Sequence, residues 1–240
     1  MKSRAVLALA ALAAAPPVTG DLTATYAAPK GASHPTMTLE AAASGDVRAD
    51  VGGPGLYMLR HLGRHYLVFT HGAKPIVVDA EKLGEAVSVA RAKDDPACAG
   101  IDKAEPRLAM VHKGSAQIGD HIEDAWFSRG TDGVLSARPD MVISHDRALA
   151  PIATAMAEQF RTTVLMVPGC PRFRESLASI LAVLEQGAPL RYAELELVAV
   201  AEGRIDPKRF ELPAPPLSPR EMRDSALLAP VIRRGSQPSN

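Results

Sequence analysis

The segment YMLRHLGRHYLVFTHG, residues 57 to 72, carries His61, His65 and His71, three of the chain's seven histidines. Zinc hydrolases use a four-residue histidine spacing on a helix, His-Glu-x-x-His, so that both imidazoles meet one metal while the Glu acts as base. Here Leu62, Gly63 and Arg64 lie between His61 and His65, so the base is missing and a glycine sits in the middle. Tyr57, Tyr66, Val68 and Phe69 favour strand, which makes Leu62-Gly63 a hairpin turn with the two histidines near its tip. A three-residue loop would let His61 and His65 share a face, and a two-residue loop would send them to opposite faces. His71 follows His65 at a strand distance of roughly 20 Å, so a common ion would need a large bend. The segment predicts a hairpin, and no metal is assigned to it.

The remaining histidines that bear on chemistry are His112, His121 and His145, which neighbour Lys113, Asp120, and Ser144 with Asp146. A Ser-His-Asp triad needs its members to converge in space, whereas adjacent positions in ISHD point in different directions. HKGSAQIG lacks the Gly-x-Ser-x-Gly elbow that lifts a serine out of a strand-to-helix turn. Asp120, Glu123 and Asp124 form a carboxylate cluster suited either to a cation or, as preferred here, to the polar edge of a hairpin. GGPG at 52 to 55 connects strands without the helix that a phosphate cradle requires. No catalytic residue and no cofactor is assigned, and the expectation is a protein that is not an enzyme. A hydrolase or metal site built from distant histidines and acids is carried as an alternative.

The amino-terminal MKSRAVLALAALAAAPPVTG joins Lys2 and Arg4 to an unbroken apolar run from Ala5 to Ala15, the length of a signal-peptide core and too short for a bilayer. Pro16 disfavours a cut after Ala15, and Val18 and Gly20 favour one near Asp21. Residues 1–20 are therefore expected to be a signal peptide. The mature chain is expected to be periplasmic or secreted, with no transmembrane segment. No Cys follows the apolar run to carry a lipid anchor. In an oxidising compartment Cys98, in DDPACAG, and Cys170, in VPGCPRF, are expected to pair. Such a bridge adds roughly 4 kcal/mol in the chain-entropy model. The competing reading is a reactive Cys170 thiol at the amino end of the following helix. The chain has 27 basic and 27 acidic residues with few aromatics, which argues against nucleic acid as a partner.

The elements that must position these residues begin as strands. LTATYAA and TMTLEAAA alternate, and DVRADVG, GLYMLRH, RHYLVFTH and KPIVVDA follow with turn residues between them, the pattern of an antiparallel meander. Asp79 caps a helix through AEKLGEAVSVARA, weakened by Gly84. Beyond a polar loop from Lys93 to Pro106, strands return with RLAMVHKGSAQIG, HIEDAWFS and DMVIS. A helix is predicted from Pro151 to about Phe160, followed by a buried-looking TTVLMVP. PRFRESLASILAVLEQG is the clearest helix, opened by Pro171 and closed by Gly187, with an apolar stripe of Phe173, Leu177, Ile180, Leu181 and Leu184. RYAELELVAVAEGRIDPKRFELP reads as a last long hairpin, with Glu194, Glu196 and Val198 alternating against Leu195, Leu197 and Ala199. No internal repeat stands out. Residues 21–213 form one α+β domain. Residues 214–240 then supply a proline-rich linker, a short helix opened by the capping box Ser218-Pro219-Glu221 and running to about Leu228, and a disordered tail.

This order of elements resembles the exported lipoprotein-carrier-like proteins of the LolA/LolB type and their uncharacterised relatives. The residues carrying the likeness are TMTLEAAASGDVRADVGGPGLYMLRHLGRHYLVF, where a Gly-Asp turn leads to an arginine-bearing strand and a tyrosine hairpin, and the closing FELP. The tryptophan-rich signature of the carriers is absent, since Trp126 is the one tryptophan. The resemblance implies a curved antiparallel sheet or incomplete β-barrel covered by two or three helices over an apolar cavity. Such a cavity would hold a lipid or a lipidated protein. Candidate lining residues are Leu39, Leu56, Met58, Leu67 and Phe69 from the sheet with Leu177, Ile180 and Leu184 from the helix. The alternatives are a structural or assembly-assisting envelope protein whose core these side chains fill, or the hydrolase named above. Sequence leaves the oligomeric state open.

Overall fold

Alternation of apolar and polar residues gives each early strand one inward face, and the strands pair in the order in which they occur. The computed structural model describes residues 20–28, 36–51, 55–70, 74–90, 109–130, 132–166 and 171–228. The apolar leader, His71, Cys98, Cys170 and the tail beyond residue 228 lie outside the described residues.

The first meander comprises β1 (Leu22–Ala27), β2 (Thr36–Ala41), β3 (Val47–Asp50), β4 (Leu56–His61), β5 (Arg64–Phe69) and β6 (Ile76–Asp79). Helix α1 (Ala80–Ala90) follows at once, with the backbone N–H of Lys82 donating to the Asp79 carboxylate as the cap position predicts. A second meander begins with β7 (Ala109–Ile118), β8 (His121–Arg129) and β9 (Met141–Ser144). Helices α2 (Ala150–Met166) and α3 (Pro171–Leu184) intervene before β10 (Ala188–Tyr192) and β11 (Leu195–Glu202) complete it. A short helix α4 (Pro219–Asp224) lies near the end of the described chain.

Among the described residues all eleven strands belong to one sheet of order β6-β5-β4-β3-β2-β1-β11-β10-β9-β8-β7, with every pair of neighbours antiparallel. The sheet is curved and unclosed, with β6 and β7 at its edges, so the fold is the expected α+β incomplete barrel. Curvature is visible in one contact. The Tyr26 hydroxyl on β1 donates to the Pro189 carbonyl on β10 at 2.6 Å, across the intervening β11. In a flat sheet the two strands would stand roughly 10 Å apart.

Front-face side chains Leu22, Tyr26, Leu39 and Ala49 meet Ile152 and Met156 of α2 and Leu177, Ile180 and Leu184 of α3 in one core cluster. A second cluster joins Leu67 and Val78 to Leu83 and Val87 of α1, Met222 of α4 and Leu228. The back face of β4, β5 and β6 is covered in turn by Ile205 and Phe210, which pack on Tyr57, Leu59, Tyr66, Val68 and Val77.

Two elements differ from expectation. Helix α2 continues to Met166 where a separate buried run follows Phe160 in the sequence reading. Within the helix the hydroxyls of the β-branched Thr162 and Thr163 are satisfied by donating to the Glu158 and Gln159 carbonyls one turn earlier. The last hairpin turns at Ala193-Glu194, with Ala193 at φ 52°, so RIDPKRFELP is not its second strand. That segment instead forms a 3-10 turn, Pro207–Phe210, and is pinned by Asp21, which accepts from the Ile205 and Ala43 backbone N–H groups at 2.8 and 2.9 Å. The capping box at Ser218 and Glu221 forms as read, although α4 ends at Asp224.

Tyr26 is fully buried and its burial holds the phenol far above its usual pKa, so it serves only as a neutral donor. Tyr26→Phe leaves the Pro189 carbonyl without that donor. A destabilisation of about 1–3 kcal/mol is expected in urea unfolding; an unchanged midpoint would show that the bond contributes nothing.

Candidate functional site

The hairpin that opened the question closes with two residues, Leu62 at φ 50° and Gly63 at φ 76°, which is the positive-φ turn that suits a two-residue loop. His61 therefore pairs with Arg64 and Arg60 with His65, placing the two histidines on opposite faces. His61 Nδ1 lies 3.5 Å from Asp46 on the back. His65 turns to the front, with Nδ1 2.8 Å from Thr162 Oγ1 and Nε2 3.3 Å from Glu158. Glu158 also receives Arg60 at 3.4 Å and Arg161 at 2.5 Å.

Thr162, His65 and Glu158 have the residue types of a nucleophile, base and orienting acid. Their setting removes that chemistry. Thr162 is 2% exposed, and its hydroxyl already donates to the Glu158 carbonyl at 2.9 Å. The adjoining cavity is about 10 Å³, the space of one water rather than of a substrate. Burial lowers the His65 pKa against the opposing pull of Glu158. This polar knot fastens β4 and β5 to α2.

The carboxylates after β7 are a polar hairpin edge with specific partners. Ser144 Oγ donates to Glu123 at 2.8 Å, while His145, one residue on, reaches Asp124, so the two neighbours in ISHD do diverge. Asp124 is shared by His145 Nε2 at 2.9 Å and His112 Nε2 at 3.3 Å. Among the described residues no group of three or more His, Cys, Asp or Glu is arranged to hold a metal ion. The other nitrogen of His145 lies 2.9 Å from the Gln186 carbonyl. Both nitrogens thus face acceptors, which only the imidazolium satisfies.

The hydrogen bond to Asp124, with that to Gln186 behind it, raises the His145 pKa, and the same bond lowers that of Asp124. The signs follow from these directions. The stabilisation from His145 is complete below the usual imidazole range and is lost as pH rises through the raised value. That from Asp124 is present above the usual carboxylate range and is lost as pH falls through the depressed value. An NMR titration is expected to place His145 above a free histidine, and Asp124→Asn to return it most of the way. An unshifted midpoint in the parent protein would contradict the pairing.

The eight candidate lining residues all lie on the front face, within packed clusters. Leu39, Leu177, Ile180 and Leu184 belong to the larger cluster, with Met58 packed against it. Leu67 belongs to the other, with Leu56, Met58 and Phe69 against it. Leu184 also borders a polar cleft of about 340 Å³ between β10 and the start of α2, alongside His145, Arg147 and Arg161.

The open apolar space lies elsewhere. Strand β10 pairs with β11 only through Arg191 with Glu196 and Tyr192 with Leu195, after which β11 follows β1 alone. Where the two part, a cleft of about 550 Å³ opens, lined by Ile118, Leu149, Leu190, Leu197, Val198 and Val200. Val198 and Val200 are 60% and 41% exposed. The polar rim is Asp120, His121, Asp146 and Glu196. Sequence reasoning passed over this place, although the apolar run LVAVA after Glu196 breaks the alternation expected of a strand with one solvated face.

Fold and site together define an α+β protein with an open antiparallel sheet and a lateral apolar cleft. No family model, curated protein or solved structure matches the chain. Among the described residues no helix is long and apolar enough to cross a membrane.

Proposed function

We propose that this chain is an exported, non-enzymatic protein that binds a lipid, a lipidated partner or another apolar ligand, and that it does so in the cleft where β11 leaves β10. The observation that carries the reading is the cleft itself. Its volume of about 550 Å³ falls in the range of ligand sites, and its walls are aliphatic. Export rests on the basic and apolar leader from Lys2 to Ala15, and the lipoprotein-carrier resemblance agrees with the open sheet.

The test is native mass spectrometry of protein purified from the periplasm of an expressing cell, together with uptake of the uncharged fluorescent probe N-phenyl-1-naphthylamine. Co-purifying ligand, or uptake that Val198→Asp abolishes, is expected. A ligand-free mass with no uptake of any apolar probe would overturn the reading.

A second reading is an envelope protein with a filled core that acts through its surface. It is favoured by the dense packing of Leu39, Ile180 and Leu184 under α2 and α3. Its mark would be specific capture of an envelope protein that survives Val198→Asp.

A further inference from the structure

We infer that the occupant of the cleft beside β11 is an extended segment of a partner protein, apolar at alternate positions and basic at its flanks, which pairs with the free edge of β11. The inference rests on the proposed ligand-binding role of this cleft and names the class of ligand.

The first observation is the backbone. From Leu197 to Glu202, β11 is paired with β1 on one side except at Val198, which a bulge opposite Thr25 and Tyr26 leaves without a partner, while its register with β10 ends at Glu196. In an antiparallel ladder every second residue turns its N–H and C=O away from a given neighbour. Alternate residues from Ala199 to Glu202, beyond the bulge, therefore present a donor and an acceptor toward the cleft, where no described strand is paired with them.

The second observation is that the gap is built in. Pro189 has no N–H to offer, and its carbonyl is already taken by the Tyr26 hydroxyl at 2.6 Å. A register shift between Pro189 and Arg191 turns β10 further aside. At Pro189, β10 thus has nothing left to pair with β11, while β11 keeps an open edge.

The third observation is charge. Asp120, Asp146 and Glu196 line the cleft with His121, and no lysine or arginine lines it. Glu196 is neutralised by Arg191, but among the described residues no cation pairs with Asp120 or Asp146. A fatty acid or an anionic phospholipid would bring its negative head to these carboxylates, and an acyl chain has nothing to pair with backbone groups. A strand with Lys or Arg at its ends satisfies both, and its alternate side chains would meet Val198 and Val200. Strand addition of this kind draws affinity from main-chain bonds and specificity from the side-chain pockets.

The experiment uses the full exported protein and a short synthetic peptide alternating Val and Thr with Lys at both ends, read by calorimetry and by amide exchange. Binding is expected, with slowed exchange confined to amides of Ala199–Glu202. Methylating alternate peptide nitrogens is expected to weaken it about tenfold or more, because each lost bond removes part of the pairing. Glu in place of Lys, or Asp120→Asn, is expected to weaken it several-fold at low salt and less at high salt. Equal binding of the methylated peptide would overturn the inference. Uptake of N-phenyl-1-naphthylamine without peptide binding would also overturn it, while leaving the ligand-binding function standing. Failure of every probe would overturn both, and self-association that buries β11 would replace the partner by a second copy.

Discussion

Replacing Leu39 by Ala is expected to lower the free energy of unfolding by about 3–4 kcal/mol. Leu39 is 1% exposed on the front of β2 and belongs to the cluster that includes Ile152, Met156 and Leu177. In such a setting the truncation loses both the transfer free energy of the side chain and the contacts across the void it leaves. The result also separates two pictures of the front face. A leucine lining an open ligand chamber has nothing packed against its free side, and its truncation would cost below about 2 kcal/mol, close to transfer alone. Urea unfolding with an unchanged slope is the measurement. A small loss would return the ligand site to the space under the helices; the expected large one leaves it at β11.

The second large effect is expected from Arg209→Ala, which removes the cation facing the buried Glu40 on the back of β2. Arg209 Nε lies 2.7 and 2.8 Å from the two Glu40 oxygens, and its Nη2 lies 3.5 Å from Asp50. Arg48 stands 4.0 Å from Glu40, is bound to Asp50 at 3.0 Å and stacks over the Tyr57 ring at 3.5 Å. Breaking a buried pair by deleting one partner costs about 3–5 kcal/mol, because the remaining charge is stranded. Arg209 is 42% exposed and Arg48 stays behind, so a loss of about 2–3 kcal/mol is expected. Arg209→Lys should recover only part of it, because a single ammonium cannot hold Glu40 and reach Asp50 with separate nitrogens. A double-mutant cycle with Glu40→Ala isolates the coupling. If Arg209→Ala is neutral, the segment carrying Ile205 and Phe210 is held by its apolar contacts alone.

These two positions also mark where sequence reading succeeds and where it stops. Leu39 was legible as an inward residue because TMTLEAAA alternates, and β-branched and aromatic content between turn residues revealed the later strands of the first meander and the hairpin at Leu62-Gly63, though not its loop length. The helix from Pro171 was legible through its stripe and its terminal signals. Arg209 was not, because its partner Glu40 is distant in the chain and a lone arginine in RIDPKRFELP has no period to betray it. The convergence of His112 and His145 on Asp124 was hidden for the same reason, being a product of β7–β8 and β8–β9 register. The cleft beside β11 depends on where two strands part, which Pro189 and the Ala193-Glu194 turn decide together. The end of α2 was missed for a local reason, since threonine in TTVLMVP argues for strand, yet the helix runs on through it.

The order of the strands is also an order of assembly. Strands β1 to β6 pair with their neighbours in sequence, as do β7 to β11, so the first arm can form from short-range contacts, while the second must also bring β10 back to β9 across two helices. The ladder between β1 and β11 joins Leu22 to Glu202, nearly the whole described chain apart, and neither arm can supply it alone. Closing so long a loop is the entropically expensive step, and pairings of this kind make a sheet slow to complete. Until β11 has emerged and docked, β1 has a bare flank and the clustered core under α2 and α3 lacks one of its walls. The last strand to be made is the one that turns two meanders into a single protein.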